Sequence, residues 1–163
     1  MAKFAETIEL TDKQKNFITT ELRPFLKTND MLSARKKIIA GYTSEHLIEP
    51  ADSVDIVGFL LQNLGEELYF RRSKEIFDDE FMDLEELISI NIPNGIEIIG
   101  DSAFSHCESL ESVVIPKSVK YIDHDAFYRC PLESVIIPKG CKLYLDNKDL
   151  VFGGHMDTEV TRK

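Results

Sequence analysis

Cysteine is scarce in this chain and odd in number, three among 163 residues. An odd trio makes no disulfide framework, and a reducing cytoplasm is the expected compartment. Long hydrophobic runs are missing too. No apolar stretch reaches the length a membrane crossing needs, and no basic segment followed by an apolar run opens the chain. Met1-Ala2-Lys3-Phe4-Ala5-Glu6 reads as an ordinary cytosolic start. GxSxG, HExxH, Walker A, GxGxxG and CxxC are all absent, which removes the common signatures of hydrolases, metalloproteases and nucleotide binders. No low-complexity linker divides the chain, so its parts are expected to pack together.

Positive charge is the other shortage: 19 basic against 29 acidic residues, a net charge of −10. The deficit is local. Residues 1–74 carry 11 acidic and 11 basic side chains, whereas residues 75–163 carry 18 and 8. From Glu75 to Glu86 there are seven carboxylates and no cation. Such a surface repels nucleic-acid phosphates and anionic lipids and favours basic partners, although acidity also serves simple solubility. A hydrophobic content of 43% is enough for a core, in one domain or two small ones.

The first seventy residues read as helical. Thr11-Asp12-Lys13-Gln14 fits a capping box, and Phe17, Ile18, Leu22, Phe25 and Leu26 continue a helical face to about Lys27, kinked at Pro24. Asn29-Asp30 starts a second helix with Met31, Leu32, Ile38 and Ile39 inward, Arg35-Lys36-Lys37 facing water and Gly41 as its stop. Pro50-Ala51-Asp52-Ser53 opens the most hydrophobic helix, which Gly65 ends. Leu68-Tyr69-Phe70 looks like a short strand.

From there the chain repeats itself. Ser89-Ile90-Asn91-Ile92-Pro93 returns as Ser112-Val113-Val114-Ile115-Pro116 and as Ser134-Val135-Ile136-Ile137-Pro138, with prolines 23 and then 22 residues apart. Ala103-Phe104, Cys107 and Leu110 match Ala126-Phe127, Cys130 and Leu132, with one residue deleted beside Pro131. A fixed period in the twenties marks a solenoid whose coils bury their apolar faces against neighbouring coils. The alternating aliphatics place short parallel strands one above another, each proline falling just after its strand. Counting back one period puts Ile76 under Ile99, Phe81 under Phe104, Leu84 under Cys107 and Leu87 under Leu110, so residues 75–87 read as a degenerate, acid-rich opening coil. Lys139 to Leu145 begins a further coil that reaches no Ala-Phe and reads as a closing strand. Gly153-Gly154 is a break, and His155 to Lys163 is expected to be a mobile tail.

The pattern Ile-x-Ile-Pro-x-x-Val/Ile-x-x-Ile-x-x-x-Ala-Phe-x-x-Cys-x-x-Leu closely resembles the BspA-type leucine-rich repeat over about residues 76–145. It is carried by Ile90, Ile92, Pro93, Ile96, Ile99, Ala103, Phe104, Cys107 and Leu110, and again by Val113, Ile115, Pro116, Val119, Ile122, Ala126, Phe127, Cys130 and Leu132. The resemblance implies a protein-binding surface, of the kind often found on secreted or surface-exposed bacterial proteins. A chain with no secretion signal and few coils reads rather as a small intracellular binder, bacterial or phage-encoded and then in the host cytoplasm.

Three constellations compete with that reading. Cys107 and Cys130 share one slot a coil apart, next to His106 and Arg129; a thiol site, a metal site or a disulfide would use the pair, and so would a buried cysteine column, which is the expectation in the absence of CxxC or a second nearby histidine. Asp101, Asp123, His124 and Asp125 could suggest acid–base work, but they sit in turns before Ala-Phe where aspartate bonds local backbone. Arg35-Lys36-Lys37 and Arg71-Arg72-Lys74 are the only basic clusters; helices around residues 30–62 could be imagined as a helix-turn-helix, but that half is neutral overall where DNA binders usually show a basic face, so the clusters read as solvated or as counter-charges to the opening coil.

The expected fold is α+β: a helical cap over residues 1–70 packed on a short leucine-rich-repeat β-solenoid over 71–145, then a closing segment and tail over 146–163. The expected function is non-catalytic protein recognition, with no cofactor, no metal, no membrane and no direct nucleic-acid contact, by a partner with a basic surface. Homo-oligomerisation and nucleic-acid mimicry by an inhibitor are the alternatives. The candidate partner-binding residues are Asp78, Asp79, Asp83, Glu85 and Glu86 of the opening coil, and Asn91, Glu111, Val114, Glu133 and Ile136 of the strand face.

Overall fold

A computed structural model of the chain describes residues 1–43, 47–153 and 158–163. The N-terminal half is helical. After a short strand β1 (Lys3–Phe4), α1 (Asp12–Phe17) starts with the capping box: the Gln14 N–H donates to Thr11 Oγ1 at 3.3 Å and the Thr11 N–H to Gln14 Oε1 at 2.7 Å. A π-helical turn (Ile18–Leu22) then leads into α2 (Arg23–Lys27), with Pro24 in its first turn, where a missing N–H costs least. Next come α3 (Met31–Thr43), α4 (Pro50–Leu64) and α5 (Glu66–Tyr69).

The helix α3 departs from expectation in two ways. Gly41 does not stop it but lies inside it, where an added Cβ would sit 3.2 Å from the Phe17 ring. Arg35 does not face water but is 1% exposed. The helix α4 is the centre of this half, with Ile56, Val57, Leu60 and Leu61 buried. Gly58 lets it press against Ile8 and Leu84, since a Cβ there would collide with both. The expected strand at Leu68-Tyr69-Phe70 is instead α5 and its C-cap, which turns Tyr69 fully inward.

The solenoid follows in β2 (Glu75–Ile76), β3 (Leu87–Asn91), β4 (Ile98–Ile99), β5 (Ser112–Val114), β6 (Tyr121–Ile122), β7 (Ser134–Ile137) and β8 (Lys142–Leu143). One parallel sheet runs β2-β4-β6-β8, pairing Ile76 with Ile99 and Ile99 with Ile122. On the other wall β3 pairs with β5 in parallel, Ile90 beside Val113 and Asn91 beside Val114, while β1 covers the outer edge of β3 antiparallel. Four phenyl rings stack along the axis: Phe81 on Phe104 at 4.9 Å, Phe104 on Phe127 at 5.2 Å, and Phe127 on Phe152 at 5.4 Å. Cys107 and Cys130 are fully buried free thiols that donate to the Phe81 and Phe104 carbonyls of the preceding coil at 3.1 and 3.0 Å.

Three successive coils each turn through two left-handed residues, and each of the two recurs one period on. Asp79, Ser102 and Asp125 form one series (φ 56°, 52°, 50°), and Asp83, His106 and Arg129 the other (φ 61°, 59°, 59°). Asp79, Asp125, Asp83 and His106 are of the non-glycine types that enter this region most readily.

The C-terminal end differs from the sequence reading. A last helix α6 (Asp149–Phe152) brings Val151-Phe152 into the slot that Ala126-Phe127 fills one coil earlier, with the Asp125 and Phe127 N–H groups donating to Leu150 and Val151 carbonyls. A final strand β9 (Glu159–Arg162) pairs in parallel with β7, matching Val135 to Val160 and Ile137 to Arg162. The tail expected to be mobile is therefore ordered over residues 158–163, pinned also by the buried Thr158 hydroxyl donating to the Leu132 carbonyl at 2.8 Å. Gly154 and residues 155–157 lie outside the described residues. No helix of the described residues is long and apolar enough to cross a membrane.

Candidate functional site

The strand face is built by pleat alone. In β3, β5 and β7, alternate residues Ile90, Val113, Val135 and Ile137 enter the core, which forces the residues between them outward. Two outward rows result. Ser89, Ser112, Ser134 and Glu159 occupy one, and Asn91, Val114, Ile136 and Thr161 the other, by the registers of β3 on β5 and β7 on β9. Between β5 and β7, which lie side by side, no ladder pairing occurs among the described residues; this is the coil shortened beside Pro131. Val114 and Ile136 are 58% and 50% exposed, and β9 beside Ile136 does not cover it. Glu111, Glu133, Lys117 and Lys139 are exposed around them. The expected apolar pair thus stands exposed on two neighbouring strands, with charged residues around it.

The acidic opening coil is more divided than its sequence. Asp78, Asp79, Asp83 and Glu85 are exposed, while Glu86 and Glu75 are half-buried. Asp78 is already engaged, its Oδ1 accepting from the Asp101 N–H of the next coil at 3.0 Å. Glu86 is tied through its carbonyl to the Ala5 N–H at 2.7 Å. The Asp79 carboxyl is raised above the usual range by burial first, then by Asp101, Asp78 and Asp83 around it. Among the described residues no salt bridge involves Asp79, Asp83 or Glu85.

Glu80 belongs to a different structure altogether. It is 4% exposed and accepts four hydrogen bonds: Arg35 Nε at 2.6 Å, Arg35 Nη2 at 2.7 Å, the Tyr69 hydroxyl at 2.7 Å and the Phe77 N–H at 2.9 Å. The guanidinium lies over the rings of Phe77, Phe70 and Tyr69 at 4.7, 5.0 and 5.2 Å, and its buried Nη1 has no hydrogen bond among the described residues. Burial alone would lower the Arg35 pKa, but Glu80 more than reverses this and leaves it above the ordinary value. The same burial, with the Glu80 charge, raises the Tyr69 hydroxyl well above its ordinary range. Nucleic-acid mimicry needs all seven carboxylates displayed; with Glu80 inside the protein, that array does not exist. The signal was available in the repeat phase, because Glu80 occupies the slot in which later coils bury Ala103 and Ala126.

The turn aspartates make local bonds. Asp123 Oδ1 accepts from the His124 N–H at 2.8 Å and from the Tyr121 hydroxyl at 3.3 Å, the local turn bonding expected of it. Among the described residues no group of three or more His, Cys, Asp and Glu side chains is placed to hold a metal ion.

The stacked coils, with matching aliphatic, phenyl and thiol columns at one period, decide the family. Residues 74–148 match the BspA type leucine-rich repeat region in 6 copies. Residues 74–148 are BspA-type leucine-rich repeats. Such repeats commonly serve as protein-interaction modules. Several solved structures of leucine-rich repeat proteins are similar. A leucine-rich repeat protein from Bacteroides capillosus is 27% identical over 56% of this chain and 64% of its own, with a TM-score of 0.49. The leucine-rich repeat protein of T. pallidum is 22% identical over 56% of this chain and 46% of its own, TM-score 0.46. A leucine-rich cell surface protein from Faecalibacterium prausnitzii is 32% identical over 47% of this chain and 20% of its own, TM-score 0.44. This chain thus spans under two thirds of the length of each. No curated protein matches the chain.

Proposed function

We propose that the protein is a non-catalytic recognition module whose repeat half binds a partner protein through the strand face. The observation that carries this is the exposed pair Val114 and Ile136, at 58% and 50%, set on adjacent strands rather than on a loop. Apolar side chains held on β-strands lose less entropy on binding than those on a loop and can act as an anchor. The charges around them, Glu111 and Glu133 on one flank and Lys117 and Lys139 on the other, supply the polar rim such a centre requires. The net charge of −10 favours a partner with a basic surface, through faster encounter more than through affinity. Three free, buried thiols support a reducing compartment such as the cytoplasm.

The test is an affinity capture from the native host lysate with wild-type protein and with Val114→Asp/Ile136→Asp as baits. A captured protein lost with the double variant, at equal folded content by circular dichroism, is the expected result. Identical capture by the two baits refutes the strand face as the binding surface.

A further inference from the structure

Residues 1–70 and the opening coil meet along α4. Gly58 holds the middle of that helix tight against Leu84, but toward its N-terminal end the two surfaces leave a half-open groove of about 730 Å³. One wall is helical, Ala51 and Val54; the other is the opening coil, Asp79, Met82, Asp83 and Glu85. Val54 and Met82, both half-buried, line it with apolar surface. The volume suits one or two side chains of an incoming chain rather than a whole domain, and clefts between two packed units are a preferred place for ligands. Methionine adapts its shape to what enters.

The rim settles what that is. Asp79, Asp83 and Glu85 enter no salt bridge among the described residues, no Lys or Arg lines the groove, and Lys13 is held by Asp52 at 2.7 Å. The carboxylates around Asp79 already repel its ionised form, and an arriving cation relieves that repulsion. A purely apolar segment would bury these charges without counter-ions, and a purely basic one would leave the apolar lining wet. Phosphates are repelled, and a second copy of a chain at −10 is disfavoured in the same way. We infer that the groove between α4 and the opening coil is a docking site for a linear basic segment of a partner protein, with one large apolar side chain on Val54 and Met82 and flanking Lys or Arg on Asp79, Asp83 and Glu85. The site goes beyond the strand-face reading and stands apart from it. It gives the helical half a part in recognition, because α4 supplies one wall.

The experiment is selection of random peptides displayed on phage against the intact protein, followed by fluorescence anisotropy on the synthesised winners at low and high salt. Asparagine tolerates the left-handed backbone of Asp79 and Asp83, so Asp79→Asn/Asp83→Asn removes charge without disturbing the coil. Enriched peptides are expected to place a large apolar residue beside two or more Lys or Arg. Their affinity should fall about tenfold in Asp79→Asn/Asp83→Asn and in Val54→Ser, fall with salt, and stay within about twofold in Ile136→Ser. Absence of enriched peptides, enrichment without basic residues, or affinity unmoved by both groove variants would overturn the proposal. Peptides lost with Ile136→Ser and untouched by the groove variants would overturn it in favour of the strand face.

Discussion

Removing Arg35 should destabilise the protein far more than any other cation could. Its guanidinium gives two hydrogen bonds to Glu80 at 2.6 and 2.7 Å and one to the Glu75 carbonyl at 2.9 Å, and both partners of the ion pair are almost without exposure. Arg35→Met leaves the Glu80 carboxylate buried with only the Tyr69 hydroxyl and the Phe77 N–H, which costs about 3–5 kcal/mol. With a urea slope of about 2 kcal/mol/M, the midpoint should fall by about 2 M. Glu80→Gln leaves the opposite charge orphaned at similar cost. The double variant Arg35→Met/Glu80→Gln strands no charge and keeps an amide oxygen for Tyr69 or Phe77. It should therefore be more stable than the sum of the single losses by about 2 kcal/mol, a coupling read directly from a double-mutant cycle. Urea unfolding at neutral pH, followed by far-ultraviolet circular dichroism, measures all four proteins. A shift below about 0.5 M for Arg35→Met, or strict additivity, would refute the reasoning and return Arg35 to the solvated face the sequence suggests.

Two further outcomes follow from the titrating groups. Asp79→Asn should stabilise slightly at neutral pH, by no more than about 0.5 kcal/mol given solvent screening, because the native state raises the Asp79 pKa and so disfavours its ionised form. That stabilisation should vanish as pH falls below the ordinary aspartate value, and a variant less stable than wild type at pH 7 would show that Asp79 is anchored rather than repelled. Burial raises the Cys107 thiol well above its ordinary value and pushes Cys141 up to about 11. Native protein should thus resist a thiol reagent at pH 8, whereas the denatured chain should titrate all three cysteines. Because the folded pKa values are the higher ones, this contribution to stability is complete below about pH 9 and declines as pH rises toward 11. Rapid native labelling of one thiol at pH 8 would contradict it.

What the sequence determined by itself is everything that repeats. In a solenoid each residue meets its own counterpart one coil away, so a period read from Ile-x-Ile-Pro and Ala-Phe already places Phe104 on Phe127, Ile99 on Ile122 and Val114 outside. The pleat that buries Val135 and Ile137 equally fixes the exposure of Ile136. Only tertiary structure decided the contacts that cross the period. Arg35 and Glu80 are 45 residues apart, and nothing in the charge pattern around Arg35-Lys36-Lys37 distinguishes the buried cation from its solvated neighbours. Leu68-Tyr69-Phe70 has strand-forming residues yet turns as a helix, and in that turn the Tyr69 hydroxyl donates to Glu80 across the period. Val151-Phe152 arrives in the last phenyl slot out of period, and β9 finds its place only because β7 offers an open edge. Likewise the groove under Val54 and Met82 exists only where two dissimilar halves meet. Local repetition is written in residue order; the fit between unlike surfaces is not, since it depends on which of many exposed edges and faces approach one another in space.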